Sequence, residues 1–158
     1  MVNNFKNTTV LDLLFRAAKS NSSKTYCKSA HHEFTYQQFV AACIKLSNKI
    51  SHKNIINERI GILLPNSISF LISYFAILIS GNKPALLNYL LPDFALGKLI
   101  DNLEPSLLIS DKALQKSESI ILKIEDYLEL EETSMDETDF KCESKGVGAI
   151  LFSGGTTG

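Results

Sequence analysis

The chain has 158 residues, 45% of them apolar and 21% charged, which is the balance of one folded globular domain or of part of a larger one. Lys and Arg total 16 against 17 Asp and Glu, so the net charge of -1 gives no electrostatic footprint for nucleic acid or an anionic membrane. The scattered cysteines Cys27, Cys43 and Cys142 lack zinc-like spacing and predict reduced thiols. Asp12 and Arg16 interrupt the apolar N-terminal stretch, which is therefore not predicted to be a signal peptide. Together these features predict a cytoplasmic globular protein.

The N-terminal part predicts a helix followed by two short strands. The helix is expected to start at Thr9, because Asp12 three residues later fits a capping box. Its apolar side chains recur on one face, at Val10, Leu11, Leu14, Phe15 and Ala18. Thr25–Lys28 and Glu33–Thr35 then predict two strands around a turn.

A second helix has the best start signal in the chain. Thr35 as the N-cap and Gln38 at the third helical position form a second capping box, and Phe34 and Phe39 stand where a hydrophobic staple would place them. The expected core stripe consists of Phe39, Val40, Cys43, Leu46 and Ile50. This pattern indicates a helix that lies on a sheet.

A charge-free run extends from Ile60 to Asn82, long enough in principle to span a bilayer. Pro65 and Asn66 divide it into a strand, Arg59–Leu64, and a helix, Ser67–Ser80, that Gly81 can close. Such a helix would be about 21 Å long at 1.5 Å per residue, short of the roughly 30 Å hydrocarbon layer. We therefore predict a buried strand–helix unit and no membrane span.

Strands and helices continue to alternate after this unit. The predicted elements are the strand Pro84–Asn88, a helix from Asp93 that stops at Glu104-Pro105, the strands Ser106–Ser110 and Ser119–Leu122, a helical turn in Ile124–Leu130, an acidic connecting loop over 131–146, and the strand Val147–Phe152. Several strands are apolar on both faces, as parallel strands covered by helices must be. The predicted fold class is therefore α/β, with a doubly wound sheet.

A glycine- and hydroxyl-rich hexapeptide follows the last predicted strand directly, and consists of Ser153, Gly154, Gly155, Thr156, Thr157 and Gly158. Glycines let backbone N–H groups approach an anion closely, hydroxyls add donors, and no carboxylate within the hexapeptide repels phosphate. The spacing is neither that of a P-loop nor that of a dinucleotide-binding turn. Taken alone, the hexapeptide is either a polyphosphate-binding loop or a flexible surface turn.

The segment Ile150–Gly158 resembles the start of the phosphate-binding signature of the adenylate-forming enzymes, [ST]-[SG]-G-[ST]-T-G-x-P-K, and stops before its Pro-Lys. This family comprises acyl-CoA synthetases, nonribosomal peptide adenylation domains and luciferase. Phe34–Phe39, Gly61–Gly81 and Leu107–Asp111 are similar, in the same order, to earlier family motifs. The resemblance implies that residues 1–158 are the N-terminal part of an adenylation domain, a truncated piece of its doubly wound sheet.

The resemblance also implies a chemistry. Family members activate a carboxylic acid with ATP and Mg²⁺, release pyrophosphate, and pass the acyl group to the thiol of coenzyme A or of a carrier-protein phosphopantetheine. The six residues Ser153 to Gly158 would hold the β- and γ-phosphates. Motifs for the remaining catalytic steps are not found, so the 158 residues are expected to be inactive alone. An acyl-CoA ligase is the first expectation and an amino-acid-activating domain the second.

Two other classes of function are alternatives to this one. A non-catalytic α/β interaction module, the remnant of a former ligase, would explain the fold with no activity. A nicotinamide- or flavin-binding domain would need a GxGxxG turn after the first strand of the sheet, and Arg59–Pro65 has none. His31 and His32 adjoin a predicted strand with no partner ligands near them in the sequence, so no metal site is predicted.

Overall fold

A computed structural model describes residues 8–111, 119–121, 126 and 148–152. The elements in chain order are α1 (Val10–Asn21), β1 (Thr25–Lys28), β2 (Glu33–Thr35), α2 (Tyr36–Ser51), β3 (Arg59–Leu63), α3 (Ile68–Ile79), β4 (Lys83–Leu86), α4 (Asp93–Leu103), β5 (Leu107–Ser110), β6 (Ser119–Ile121) and β7 (Ile150–Leu151). Strands β1 and β2 form an antiparallel hairpin. The other five form a parallel sheet in the order β6-β5-β3-β4-β7.

Both predicted capping boxes are confirmed, and they fix where the first two helices begin. The Asp12 amide donates to Thr9 Oγ1 at 3.1 Å, and the Thr9 amide donates back to Asp12 Oδ2 at 2.8 Å. At α2 the Gln38 amide donates to Thr35 Oγ1 at 3.2 Å, and the Thr35 amide donates to Gln38 Oε1 at 3.0 Å. Each box satisfies backbone donors that have no partner within the helix.

The sheet is doubly wound, as predicted. Helix α3 connects β3 to β4, its neighbour on one side. Helix α4 then leads from β4 back past β3 to β5, the neighbour of β3 on the other side. Because parallel crossovers are right-handed, these opposite directions put the two helices on opposite faces of the sheet. The fold class α/β is therefore confirmed.

Side chains alternate between two cores along each strand, as the pleat requires. On β3, Ile60 and Ile62 enter the core shared with α1, α2 and α3, whereas Leu63 enters the core shared with α4. On β5, Leu107 and Ile109 join the first core and Leu108 the second. Because both faces of these strands are buried, their sequences do not alternate between apolar and polar residues.

Glycine is needed at position 61, in the middle of the central strand. A Cβ atom there would collide with Leu108 Cδ2 of the neighbouring strand and lie 3.2 Å from Leu87 Cδ1. The missing side chain thus makes room for two leucines of the α4-side core. Gly61 belongs to the segment that resembles a family motif, and its role here is packing.

The charge-free run is confirmed as a buried strand–helix unit. Seven of the α3 side chains are buried, namely Ile68, Ile72, Ser73, Phe75, Ala76, Ile77 and Leu78. Gly81, with φ of 76°, follows the helix, and its amide donates to the Leu78 carbonyl at 3.1 Å while the Asn82 amide donates to the Ile77 carbonyl at 3.0 Å. This is a Schellman ending, which confirms the predicted role of Gly81. Within the described part of the chain, every helix falls short of the length and apolarity needed to cross a bilayer.

Some predicted boundaries are wrong by one or two residues. β3 ends at Leu63, and β4 spans Lys83–Leu86 instead of Pro84–Asn88, because the pairing of these two strands stops at Ile62 and Leu86. Val10 was predicted to lie on the core face of α1 but is 43% exposed, since the helix buries only a narrow stripe: Leu11, Leu14 and Ala18. The helical turn predicted in Ile124–Leu130 (Asp126 apart), the acidic loop 131–146 and the residues Leu122 and Val147 lie outside the described residues.

Candidate functional site

The carboxyl ends of the parallel strands meet at one edge of the sheet, and two connections leave this edge in opposite directions. The chain leaves β3 toward α3 and leaves β4 toward α4, which cover opposite faces. Such a reversal opens a crevice between the loops that follow the strands, and open α/β sheets bind their ligands there. The topology alone therefore marks this edge as the candidate site.

A cleft of about 380 Å³ opens at this edge. Its walls come from the ends of β3 and β4, from the residues just after them and from the first turn of α3, namely Leu64, Pro65, Asn66, Phe70, Leu86, Leu87, Asn88, Tyr89 and Leu90. Most of the lining is apolar, with two amides and one phenol as polar groups. A concave apolar wall with few polar groups is the usual character of a small-molecule site.

Two side-chain hydrogen bonds fix the loop after β4. Asn88 Oδ1 accepts from the Leu90 amide at 3.0 Å, a short turn that directs the chain out of the sheet. Tyr89 donates its hydroxyl to Asp111 Oδ2 at 2.8 Å. Since Tyr89 follows β4 and Asp111 follows β5, this bond bridges the end of β3, which lies between them. The hydrogen bond to the Asp111 carboxylate raises the pKa of the Tyr89 hydroxyl.

Strand β7 ends at the same edge as the cleft. It is parallel to β4, with Ile150 opposite Ala85 and Leu151 opposite Leu86. Phe152, 38% exposed, is the last described residue of this segment. The predicted site residues Ser153, Gly154, Gly155, Thr156, Thr157 and Gly158 lie outside the described residues. Phe152, the residue directly before the hexapeptide in the sequence, follows β7 at this edge of the sheet.

The composition of the hexapeptide fits a polyphosphate and not a metal. It offers backbone N–H groups and three hydroxyls, and it has no carboxylate or imidazole. Among residues 8–111 and the shorter described segments, no three His, Cys, Asp or Glu side chains come together in a way that could hold a metal ion. A magnesium ion at this edge would fit only as one held largely by phosphate oxygens and water, which is how Mg²⁺ usually binds beside nucleotides.

Cys43 is buried, as predicted, and its burial raises the pKa of its thiol. Burial also raises the pKa of the half-buried Cys27 thiol, to about 11. Both thiols are therefore protonated at neutral pH and poor nucleophiles. Neither lines the cleft.

The cleft residues were not predicted from the sequence. Asn66, Asn88 and Tyr89 come from two separate loops, and the sequence gives no direct sign that these loops share a wall. A usable signal was present, because each loop follows a buried strand of a predicted doubly wound sheet. Polar residues directly after two such strands are candidates for the site at the switch point.

Comparison with solved structures supports the fold. O-succinylbenzoate coenzyme A synthetase (MenE) from Bacillus subtilis, in complex with AMP, is 16% identical with a TM-score of 0.72, over 92% of this chain and 39% of that one. The N-terminal subdomain of NpsA from Klebsiella oxytoca, in complex with 3-hydroxybenzoyl-AMSN, is 17% identical with a TM-score of 0.63, over 70% of this chain and 29% of that one. VinN, in complex with L-aspartate, is 21% identical with a TM-score of 0.66, over 71% of this chain and 34% of that one. Similarity at this level of identity shows a shared fold.

The family assignment comes from the sequence profile of AMP-binding enzymes, which matches residues 14–158. No curated protein matches the sequence. The chain spans 39% or less of the length of the three solved structures above. The match extends over nearly all of the chain, including the predicted motifs, the central strand unit and the hexapeptide. The chain therefore belongs to the AMP-binding enzyme family.

Proposed function

We propose that this chain carries part of the nucleotide site of a carboxylate-activating, adenylate-forming ligase. In this reaction a carboxylate oxygen attacks the α-phosphorus of ATP, the bond to the bridging oxygen breaks, and pyrophosphate leaves with that electron pair. The acyl adenylate then reacts with a thiol, which forms a thioester and releases AMP. The observation that carries the proposal is that β7, which precedes the hexapeptide in the sequence with only Phe152 between them, ends at the switch-point edge of the sheet.

The hexapeptide would act by binding and positioning the phosphates. The hydroxyls of Thr156 and Thr157 are proposed to donate to the β- and γ-phosphates, and Gly154, Gly155 and Gly158 to let backbone amides approach them. Ser153 would add a third hydroxyl. Magnesium, when bound, neutralises charge on the phosphates. Phosphoryl chemistry needs mainly such positioning and charge stabilisation, with little covalent help from the protein.

We propose an acyl-CoA ligase as the first candidate, with a carboxylic acid as substrate and coenzyme A or a carrier-protein phosphopantetheine as thiol. The broad similarity to MenE, a coenzyme A synthetase, supports this choice. An amino-acid-activating domain is the second candidate, and the similarity to VinN, which was solved with L-aspartate, supports it. Substrate panels of fatty, aryl and amino acids distinguish the two.

Residues 1–158 are proposed to be inactive alone. The matched part, 92% of this chain, covers 39% of MenE, and the resemblance to the phosphate signature extends to Gly158 without its Pro-Lys. We expect no pyrophosphate release from the purified 158-residue chain with ATP, Mg²⁺ and the panel of carboxylic acids. A colorimetric pyrophosphate assay measures this, with MenE as the positive control. Turnover above the protein-free background would contradict the proposed inactivity.

Nucleotide binding tests the proposed site directly. Mg·ATP is expected to slow amide hydrogen exchange in the hexapeptide, as followed by mass spectrometry across a nucleotide titration. Replacing both threonines, Thr156→Ala with Thr157→Ala, should raise the half-saturating ATP concentration about 100- to 10,000-fold, because hydrogen bonds to charged groups contribute about 1.5–3 kcal/mol each and about 1.4 kcal/mol is a factor of ten. Thr8→Ala, at the opposite end of the chain, is the matched control and should leave the titration unchanged. If ATP protects none of these amides, the non-catalytic module is the better explanation.

A further inference from the structure

We propose that Tyr74 is a positioning residue that fixes strand β7 and, through it, the start of the phosphate-binding hexapeptide. The inference rests on the proposed function, since it concerns the segment that would hold ATP. Its structural basis is a single contact between α3 and the residues that lead into β7. Tyr74 itself would touch neither nucleotide nor acid.

The contact joins two parts of the chain far apart in sequence. Tyr74 donates its hydroxyl to the Gly148 carbonyl at 3.0 Å. The Tyr74 ring stands nearly perpendicular to the ring of Phe75, with centroids 5.3 Å apart, and Phe75 is buried in the core between α3 and the sheet. Because its ring is held in this way, Tyr74 presents its hydroxyl in a defined direction. Burial raises the pKa of Tyr74, so the hydroxyl remains a donor at neutral pH.

Strand β7 has few other attachments among the described residues. Its pairing with β4 covers only Ile150 and Leu151. Ile150 packs against the core on the α4 side, whereas Leu151 points to the opposite face and is 72% exposed. Packing therefore holds β7 from the α4 side. On the α3 side, the hydrogen bond of Tyr74 supplies the corresponding attachment.

The hydrogen bond from Tyr74 lies close, along the chain, to the segment proposed to bind the nucleotide. Gly148 lies two residues before β7, and the hexapeptide begins two residues after it. A shift at Gly148 would pass along this short strand to Phe152, the residue directly before the hexapeptide in the sequence. Displacing a binding group by about 1 Å strongly weakens its interaction with the ligand. The two-residue pairing of β7 with β4 gives little resistance to such a displacement.

The first test needs no nucleotide. In Tyr74→Phe the ring stays and only the hydroxyl is lost, so we expect the melting temperature to change little while amide exchange over residues 148–158 becomes about two- to tenfold faster. Tyr36→Phe is the matched control, because Tyr36 packs against Tyr26 beside the hairpin and should leave this exchange unchanged. Equal exchange of residues 148–158 in the wild type and in Tyr74→Phe would overturn the inference.

The second test adds Mg·ATP to the same proteins. Tyr74→Phe is expected to require about two- to tenfold more ATP for half-maximal protection of the hexapeptide, and Tyr36→Phe the wild-type amount. If Tyr74→Phe needs the same ATP concentration as the wild type, the positioning role is rejected, even if amide exchange without nucleotide is faster. Failure of ATP to protect the wild type would reject the proposed function and, with it, the role toward nucleotide. The nucleotide-free exchange then still reports separately whether Tyr74 holds β7.

Discussion

Replacing Phe39 by alanine is expected to lower the free energy of unfolding by about 4 kcal/mol. Phe39 is fully buried at the start of α2 and joins the hairpin to the helical layer. Its ring centroid lies 4.4 Å from that of Tyr26 and 5.7 Å from that of Phe75, which it meets nearly at right angles. The substitution removes both aromatic contacts and leaves a cavity between three elements, and Phe→Ala changes in cores cost about 3–5 kcal/mol.

The matched control for this substitution is Phe94→Ala. Phe94 lies in the first turn of α4 and is 73% exposed, so its truncation should change the free energy of unfolding by no more than about 0.5 kcal/mol. Urea titrations followed by circular dichroism measure both variants under the same conditions. Equal destabilisation by the two variants would show that Phe39 does not have the packing described here.

The α/β architecture could be predicted because its signals are local. Thr9 with Asp12 and Thr35 with Gln38 define helix starts through side chains three residues apart, and Gly81 defines a helix end through its positive φ. The hairpin strands also match their predicted bounds. Strand ends in the sheet were less accurate, because they depend on where a neighbouring strand stops pairing.

The candidate site also has one part that local sequence predicts and another part that depends on tertiary contacts. The hexapeptide was predicted from consecutive residues, and its chemistry follows from glycine and hydroxyl composition. The bond from Tyr89 to Asp111 and that from Tyr74 to Gly148 join positions 22 and 74 residues apart. No local pattern distinguishes either tyrosine from one that simply fills a surface, so both contacts require the tertiary structure.

The amino-terminal edge of the sheet depends on one buried amide, that of Asn82. Asn82 Oδ1 accepts from the Glu58 amide at 3.0 Å, and Nδ2 donates to the Ile55 carbonyl at 3.1 Å. The Lys83 amide also donates to the Glu58 carbonyl at 2.8 Å. These bonds tie the loop before β3 to the turn before β4. They therefore set the register at which the two strands start, and thus where their carboxyl ends bring the cleft walls together.

Asn82→Ala is expected to lower the free energy of unfolding by about 3 kcal/mol, because it leaves the Glu58 amide and the Ile55 carbonyl without their side-chain partner at a site that is 4% exposed. Asn102→Ala is the matched control. Asn102 is exposed on α4, where alanine is also the better helix former, so the change should be within about 0.5 kcal/mol. Urea titration gives both values, and amide exchange shows where the structure loosens. If Asn82→Ala were as stable as Asn102→Ala, the β3–β4 register would have to be set by the strand ladder alone.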